Sequence, residues 1–278
     1  MRLTDSNKGE EMQKLNIGFI GGGNMAEALV SGLLRAGHTA AQVRVTDISA
    51  ERLEYLRGQY AITACDGIVP LAEQSDVLVL AVKPQQVDEV LEVLGAGTAG
   101  KTLISIAAGV SAKHISDCLG SGAETAVVRV MPNTPCLVGE GMSVLFSQAD
   151  QAHRMRAEYV LAASGSTAWV EDESLMHAVT AVSGSGPAYF FLLAELMQAS
   201  GQALGLSREL SEQLVGQTAL GSARMILESG KSAELLRQQV TSPGGTTQAA
   251  LETMFEGQLP DTVRSALAAA ARRSRELA

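Results

Sequence analysis

Residues 15–28, LNIGFIGGGNMAEA, decide the fold of the first half of this 278-residue chain. The short apolar run 15–20 predicts a buried parallel strand, and three consecutive glycines follow it. The next segment, 24–35, predicts a helix. A strand that turns through glycines into a helix is typical of a turn that binds a dinucleotide, because the helix N-terminus attracts the pyrophosphate.

The small residues of this turn match the pattern G-x-G-x-x-G/A at Gly21, Gly23 and Ala26. Gly21 permits the tight turn, Gly23 lets backbone N–H groups approach a pyrophosphate, and Ala26 lets the helix pack closely on the strand. The alternative is a glycine turn of purely structural use. The strand and helix on either side favour cofactor binding instead.

The composition excludes several classes of protein. With 46% hydrophobic and 18% charged residues, a chain of this length suits two globular domains. The net charge of −9 argues against binding to nucleic acid. No apolar run approaches the ~20 residues of a membrane span, and the polar segment 1–14 lacks the core of a secretory signal. We expect a disordered leader at 1–14 and a cytoplasmic protein with no membrane partner.

The three cysteines are Cys65, Cys118 and Cys136, and their spacing fits neither a disulfide framework nor a zinc site. We therefore expect all three to be buried, small apolar residues in a reducing compartment. No metal site is predicted.

Several further segments of the first half alternate between strand and helix patterns. This alternation predicts an α/β fold: a Rossmann domain with a doubly wound parallel sheet at 15–171 and right-handed crossovers. Small or turn-forming residues end three of the strands, which leaves room for a flat cofactor ring. The predicted strands are 42–47, 77–82, 102–107, 126–131, 141–146 and 168–170, and helices are predicted at 49–59 and 148–164.

Asp47 is the last residue of the second predicted strand, near the position where dinucleotide-binding folds carry an acid that bonds the adenosine ribose 2′-OH. It also precedes the helix at 49–59, so Asp47 and Ser49 fit a helix cap equally well, and both roles can coexist. An acid at the ribose disfavours the 2′-phosphate of NADP unless Arg44 or Arg52 offsets its charge. The preference between NADPH and NADH stays open.

Beyond Glu171 the strand patterns stop, which predicts an all-α C-terminal domain at 172–278. Several of its helices are apolar over more than one stripe, and the segment 188–204 carries three successive aromatic residues. A small domain cannot hide this much apolar surface, so we expect a subunit interface rather than a monomeric bundle. The predicted helices are 174–183, 188–204, the segment from the cap Ser207 to about Glu228, 232–239, 247–254 and 261–277.

The segment 241–248, TSPGGTTQ, forms a second distinctive turn. Pro243 donates no backbone hydrogen bond, the glycine pair permits a sharp turn, and Thr246 and Thr247 then open a helix. Free backbone donors at a helix N-terminus suit a small carboxylate. An ordinary helix–helix turn capped by threonine explains the same residues equally well.

Six motifs, which follow one another between residues 18 and 247, carry a resemblance to a known family that covers essentially residues 15–278. They are GFIGGGNMAEAL, AVKPQ, SIAAGV, MPNTP, AVSGSGPAYFF and TSPGGTT. Together they resemble the pyrroline-5-carboxylate reductases, because the paired SGSGPAY and TSPGGTT motifs are not general features of Rossmann proteins. The resemblance implies an NADPH- or NADH-dependent reduction of L-1-pyrroline-5-carboxylate to L-proline, the last step of proline biosynthesis. It also implies an intertwined homodimer or a ring of dimers.

The resemblance further assigns residue roles. Thr247 would be catalytic, its hydroxyl bonding the ring nitrogen, and the TSPGGTT turn and the cofactor could come from different subunits. Gln239 stands where some members carry a cofactor-contacting Asn, and Asp47 departs from the Ser- or Arg-bearing loop that is common in NADP-preferring members. The implied substrate-binding residues are Glu173, Ser242, Gly245, Thr246 and Thr247. Cofactor-binding residues, with Asp47 from the argument above, are Ile20, Gly21, Gly22, Gly23, Asn24, Met25, Asp47, Val82, Lys83, Pro84, Ala108 and Asn133.

Hydride transfer to a protonated imine needs little acid–base machinery, because such a C=N bond is already electrophilic. The second half contains one lysine, Lys231, in a polar turn, and one histidine, His177, which we interpret as structural. A β-hydroxyacid dehydrogenase would need a lysine within 183–200, and there is none. A cofactor sensor without turnover would have no use for the TSPGGTT turn.

Overall fold

One sheet of eight strands forms the first part of the molecule. The computed structural model describes residues 11–120 and 125–278. The strands are β1 (Ile17–Ile20), β2 (Val43–Thr46), β3 (Thr63–Ala64), β4 (Val77–Leu80), β5 (Thr102–Ser105), β6 (Ala126–Met131), β7 (Gly141–Phe146) and β8 (Gly165–Trp169). Their order across the sheet is β3-β2-β1-β4-β5-β6-β7-β8.

Helices alternate with these strands and then continue alone. The first six are α1 (Asn24–Arg35), α2 (Ala50–Tyr60), α3 (Ile68–Glu73), α4 (Val87–Leu94), α5 (Ala112–Leu119) and α6 (Gln151–Ala162). They are followed by α7 (Met176–Val179), α8 (Gly186–Ala203), α9 (Arg208–Glu228), α10 (Ala233–Gln239), α11 (Thr246–Glu256) and α12 (Leu259–Glu276). No strand occurs in the described residues after Trp169, as the sequence predicts.

The central strands are buried on both faces, which is why they are continuously apolar. Successive side chains of a strand point to opposite faces. Val77 and Val79 of β4 therefore join one core cluster, whereas Leu78 and Leu80 join another. Each cluster fills the space between the sheet and a layer of helices. The predicted doubly wound fold is confirmed.

The pairing of β6 with β7 departs from the predicted all-parallel sheet, because these two strands run antiparallel. Their connection, 132–140, contains only the short 3₁₀ segment Thr134–Val138. A parallel pair needs a crossover of about a dozen residues or more, usually with a helix. The chain therefore reverses direction here, and β8 then pairs parallel with β7.

The beginning of the described chain is more ordered than predicted. Residues 1–10 of the predicted leader lie outside the described residues. Residues 11–14 form a helical turn in which the Lys14 N–H donates to the Glu11 carbonyl oxygen at 3.1 Å. Met12 packs against the core, and the Gln42 amide donates to the Lys14 carbonyl oxygen at 2.7 Å. The predicted disorder is wrong for this part of the leader.

The chain divides into two compact units at a different point from the predicted boundary of 171/172. The first unit contains residues up to Gly184 and also 271–278, and the second contains 185–270. Met176 is fully buried in a small cluster with Val144 and Phe146, which attaches the segment after β8 to the sheet. This segment continues through a π-helical turn, Thr180–Gly184, instead of one regular helix.

The second unit consists of helices with a large apolar surface. On α8, Phe190 is 74% exposed and Phe191 is 66% exposed, and neighbouring leucine side chains are also exposed to solvent. A patch of this kind marks an interaction surface in a soluble domain. None of the described helices combines the length and the apolar character required to cross a bilayer.

The cysteines behave as predicted in two of three cases. Cys65 and Cys136 are buried, and burial raises the pKa of each thiol. Cys118 is exposed, so the expectation that it is buried is wrong. It lies on the outer side of α5, where Ile115 and Leu119 form the buried side.

Burial of His38 predicts a loss of stability in mild acid. His38 is 3% exposed, and burial lowers its pKa below 6.5, although a backbone hydrogen bond with Leu15 acts in the opposite direction. The unfolded chain therefore binds the proton more tightly, so stability is complete above about pH 6.5 and declines below it. We expect the free energy of unfolding in urea to fall between about pH 7.5 and about pH 5.5.

The matched variant is His38→Gln, which cannot titrate but still offers a polar group to the Tyr159 hydroxyl, 3.0 Å from His38 Nδ1. Its stability should fall less than that of the wild type over the same pH range. An equal fall in both proteins would contradict the assignment to His38.

Candidate active site

The glycine turn after β1 is built so that only glycine fits at its first position. Gly21 has φ +96°, and a Cβ there would lie 2.7 Å from the Ala81 carbonyl oxygen. The Gly21 N–H donates to the Thr46 carbonyl oxygen at 2.9 Å, which ties the turn to the end of β2. The turn is thus fixed by β2 on one side and by the chain after β4 on the other.

The N-terminus of α1 presents free backbone donors. Gly23 is the N-cap and has no side chain to cap the helix, and a Cβ at this position would meet nothing within 4 Å. The first helical hydrogen bond runs from the Glu27 N–H to the Gly23 carbonyl oxygen at 2.9 Å. The N–H groups of Asn24 and Met25 precede it, so helix geometry gives them no partner within α1. This is the geometry of an anion site at a helix N-terminus.

Asp47 connects the glycine turn to the loop after β2. One carboxylate oxygen accepts from the Gly22 N–H at 2.7 Å, and the other accepts from the Ser49 N–H at 2.8 Å. The helix cap is Ser49, whose hydroxyl oxygen accepts from the Arg52 N–H at 3.2 Å. Of the two interpretations of this loop, capping is therefore confirmed for Ser49, and Asp47 instead holds the two turns together.

The side chains of both nearby arginines bond to residues other than Asp47. Arg52 forms a salt bridge with Glu27 of α1, and its Nε donates to the Gly22 carbonyl oxygen. Although burial works against it, hydrogen bonds from Arg52 and two tyrosines lower the pKa of Glu27. Arg44 donates to the Asn16 side-chain oxygen at 3.0 Å. Both guanidinium groups are therefore engaged with other partners.

Four of the predicted cofactor-binding residues follow two adjacent strands. Val82, Lys83 and Pro84 lie just beyond β4, and the exposed Ala108 lies beyond β5. Because β1, β4 and β5 are parallel neighbours, the structure brings these residues to the same sheet edge as Gly21.

The C-terminal residues add a feature that the sequence does not reveal. A Cβ at Gly109 would lie 2.8 Å from the Leu277 carbonyl oxygen, so the end of the chain packs against the turn after β5. His177 Nδ1 also lies 3.1 Å from the Ser274 hydroxyl. Burial, together with Arg129 and Arg275, lowers the pKa of His177. These contacts support the structural interpretation of His177.

Asn133 has defined protein partners at the end of β6. Its Nδ2 donates to the Ser183 carbonyl oxygen at 3.0 Å, and its Oδ1 accepts from the Met142 N–H at 2.8 Å. These bonds join β6, β7 and the π-helical turn. The predicted contact of Asn133 with the cofactor stays a prediction.

Glu173 forms an ion pair that sequence reasoning missed. Its Oε1 accepts from Arg129 Nη1 at 2.8 Å and from the Ala112 N–H at 2.7 Å. The Arg129 side chain is 7% exposed and that of Glu173 is 23% exposed. Glu173 therefore neutralises a buried cation and also holds the start of α5. Its predicted contact with substrate stays a prediction.

In the second unit, the TSPGGTT turn opens α11. Gly244 has φ +71°, and Gly245 is the N-cap without a side-chain cap. The first helical bond runs from the Ala249 N–H to the Gly245 carbonyl oxygen at 3.2 Å. The N–H groups of Thr246 and Thr247 precede this bond, as at the start of α1. Like α1, α11 therefore begins at a glycine N-cap with free backbone N–H groups.

One side-chain bond and one backbone bond close this second turn. The Gly244 N–H donates to Gln248 Oε1 at 2.8 Å, and the Gly245 N–H donates to the Ser242 carbonyl oxygen at 3.0 Å. Gln248 was not among the predicted site residues, although its position four residues after Gly244 suits such a bond. Gln239 accepts from Lys231 Nζ at 3.0 Å.

An open cavity of about 920 Å³ lies in the first unit, along α5, β6 and the start of α6. Of the predicted cofactor and substrate residues, its lining includes only Glu173. The cavity is therefore separate from the glycine turn.

The comparisons with known proteins agree with this arrangement. A family model described as pyrroline-5-carboxylate reductase dimerisation matches residues 173–277, and one described as NADP oxidoreductase, coenzyme F420-dependent, matches residues 16–109. A pyrroline-5-carboxylate reductase of Pseudomonas aeruginosa is 44% identical over 270 residues, covering 96% of this chain and 98% of the relative.

Two solved structures have the same fold over nearly the whole chain. A pyrroline-5-carboxylate reductase from Coxiella burnetii is 40% identical with a TM-score of 0.90, covering 95% of this chain and 98% of that one. A Plasmodium falciparum pyrroline carboxylate reductase with NADP bound is 32% identical with a TM-score of 0.85, covering 96% and 99%. The chain belongs to the pyrroline-5-carboxylate reductase family.

Proposed function

We propose that this protein transfers a hydride from NADPH or NADH to the C=N bond of L-1-pyrroline-5-carboxylate and so produces L-proline, the last step of proline biosynthesis. Support comes from the activity named for relatives that match almost the whole chain. The observation that carries the proposal is the turn at 241–248, whose helix N-terminus offers free backbone donors to a carboxylate.

The chemistry needs one hydride and one proton. The hydride attacks the imine carbon, the C=N π electrons move to nitrogen, and a proton on nitrogen completes the secondary amine while the cofactor becomes NAD(P)⁺. The protein's part is to hold the two reacting carbons together and to exclude water. We assign the carboxylate to Ser242, Gly245 and the N–H groups of Thr246 and Thr247. The Thr247 hydroxyl orients the ring nitrogen.

The proposal is tested by following the absorbance of NADPH and NADH separately in the presence of pyrroline-5-carboxylate. We expect oxidation of the cofactor with a matching amount of proline. Tight cofactor binding without oxidation would refute the reductase proposal and favour a sensor. In that case the turn at 241–248 would need a different ligand.

Thr247→Val is expected to lower kcat by ~10–100-fold, the rate equivalent of losing a hydrogen bond of about 1.5–3 kcal/mol to a charged group. Valine keeps the backbone N–H and the shape of threonine, so the carboxylate contact persists. Steady-state kinetics with saturating cofactor measure the effect.

The matched control is Thr253→Val on the same helix, because the Thr253 hydroxyl donates to the Ala249 carbonyl oxygen at 3.1 Å within α11. This variant should keep wild-type kinetics. An unchanged kcat in Thr247→Val would remove the Thr247 hydroxyl from the mechanism.

We also propose that Asp47 binds the ribose hydroxyls and makes NADH the preferred cofactor. Support comes from its carboxylate, which reaches the Gly22 N–H of the turn, and from the engagement of Arg44 and Arg52 elsewhere. The adjacent Ile48 is 95% exposed and supplies no positive charge for a 2′-phosphate. Two unit charges ~4 Å apart repel by about 4 kcal/mol near a protein surface.

Asp47→Asn should therefore raise the ratio of kcat/KM for NADPH to that for NADH by at least about tenfold, which corresponds to only about 1.4 kcal/mol. Asparagine keeps one of the two oxygen acceptors that Asp47 offers to the loop and loses the other. Asp66→Asn, which removes the same charge from the exposed residue after Cys65, is the control and should leave the ratio unchanged. A wild-type enzyme that prefers NADPH would refute this assignment.

The remaining assignments belong to the same proposal. We assign the cofactor to the domain 15–171 and substrate binding and dimerisation to 172–278. The family model for dimerisation and the exposed aromatic residues of α8 support a homodimer, and we propose a ring of dimers as its assembly. The exposed free thiol of Cys118 supports a reducing, cytoplasmic location.

A further inference from the structure

Three ligand-bearing side chains converge on the surface of the first unit, outside the reductase site. Asp88 lies in the first turn of α4, and His114 and Cys118 lie one turn apart on α5. His114 Nε2 is 2.7 Å from Asp88 Oδ1 and 3.6 Å from Cys118 Sγ. All three ligand atoms lie within 4.8 Å of one another.

The backbone positions of these residues are fixed by packing. Beside Asp88, Val87 anchors α4 in the core, and beside His114, Ile115 anchors α5. The Ser111 hydroxyl oxygen caps α5 by accepting from the His114 N–H at 3.0 Å. The three side chains thus start from two rigid, adjacent helices and meet in solvent.

We propose that Asp88, His114 and Cys118 form a binding site for Zn²⁺ or a chemically similar transition-metal ion. A nitrogen, a sulfur and one carboxylate oxygen suit Zn²⁺, whereas Mg²⁺ and Ca²⁺ prefer oxygen ligands alone. Bonds of about 2.0–2.3 Å in a tetrahedral site place the ligand atoms roughly 3.3–3.7 Å apart. The separation of His114 and Cys118 already matches, and the contact between His114 and Asp88 must widen only slightly. Water completes the fourth position.

The neighbouring positive charge does not pair with the three ligands. Lys113, next to His114, is instead paired with the Asp117 carboxylate at 2.7 Å. A cysteine binds such an ion as the thiolate, so metal binding at Cys118 would release a proton.

The site is tested on the full-length protein, reduced and stripped of metal by a chelator that is then removed. Titration with Co²⁺ should produce a thiolate-to-cobalt charge-transfer band in the near ultraviolet, and calorimetry with Zn²⁺ should give one ion per chain. Cys118→Ser should abolish the band. Substitution of a residue that only supports a metal ligand typically weakens metal binding by ~10–100-fold. His114→Gln removes a ligand itself, so we expect it to weaken Zn²⁺ binding by more than this.

Asp117→Asn is the matched control, because it removes a nearby carboxylate that is not a ligand and should leave one ion bound. The substituted side chains are exposed, and circular dichroism verifies that each variant is folded. Two outcomes would overturn the proposal: no cobalt–thiolate band in the wild type, or a band that survives Cys118→Ser. Neither outcome depends on the reductase activity.

Discussion

Replacing Gly21 by alanine is expected to lower both the stability of the first unit and its affinity for the reduced dinucleotide. Gly21 has φ +96°, a conformation that costs a residue with a Cβ about 1–2 kcal/mol. The added Cβ would also lie 2.7 Å from the Ala81 carbonyl oxygen, which is part of the backbone and cannot turn away. We therefore expect a loss of at least about 2 kcal/mol in the free energy of unfolding.

The variant Gly23→Ala distinguishes an effect on cofactor binding from an effect on stability. Gly23 has φ −65°, and a Cβ there would contact nothing within 4 Å, so its stability should stay close to that of the wild type. The new methyl group would nevertheless stand over the free N–H groups at the start of α1 and weaken dinucleotide binding. Urea unfolding and a fluorescence titration with NADH measure the two effects. Equal stability losses in both variants, or wild-type affinity in either, would contradict this picture of the turn.

Arg129→Met is expected to destabilise the first unit by about 3–5 kcal/mol, the range for breaking a buried ion pair by removing one partner. The Glu173 carboxylate would lose its counterion and keep only the Ala112 N–H. Because methionine fills most of the volume of the arginine side chain, the loss of stability reflects the unpaired Glu173 charge more than a cavity. The midpoint of urea unfolding measures it.

A second substitution tests that reason. Arg129→Met combined with Glu173→Leu removes both charges and should recover part of the loss, because no unpaired charge remains. Lys113→Met, which breaks an exposed pair with side chains 80% and 62% open, should cost no more than about 1 kcal/mol. A double variant no more stable than Arg129→Met would assign the loss to packing alone.

Local signals predicted the parts of the fold that local physics decides. The helix at 24–35 is found with the predicted ends, because the glycine turn fixes its start and the chain turns at Gly37. Ser207 is the N-cap of α9, and its hydroxyl oxygen accepts from the Leu210 N–H as the sequence predicts. The glycine turn is likewise predictable because every residue that shapes it lies within one short stretch.

Contacts between distant residues could not be predicted from these patterns. The partner of Arg129 lies 44 positions further along the chain. Arg129 itself was a usable signal, because a charge inside the apolar strand AVVRVM must have a partner. The antiparallel β7 was also recoverable, from the short connection before it. The packing of Leu277 on the turn at Gly109 left no local trace.

The proposed metal site at Cys118 shows a different limit of prediction from sequence. Spacing rules detect metal ligands within one segment, but Asp88 comes from one helix and His114 and Cys118 from the next. The pair one turn apart on α5 was visible in the sequence. The third ligand depends on how two helices pack on the sheet.

The position of Asp47 restricts how this enzyme could evolve a new cofactor preference. The carboxylate proposed to select NADH also holds the Gly22 N–H and the loop before α2 in place. A mutation of Asp47 that admits the 2′-phosphate of NADPH therefore also loosens the turn that binds the pyrophosphate. A change of preference to NADPH would therefore need a second substitution that restores the contacts of this loop. We expect the substitution that stabilises the loop to arise before the one that changes the cofactor preference.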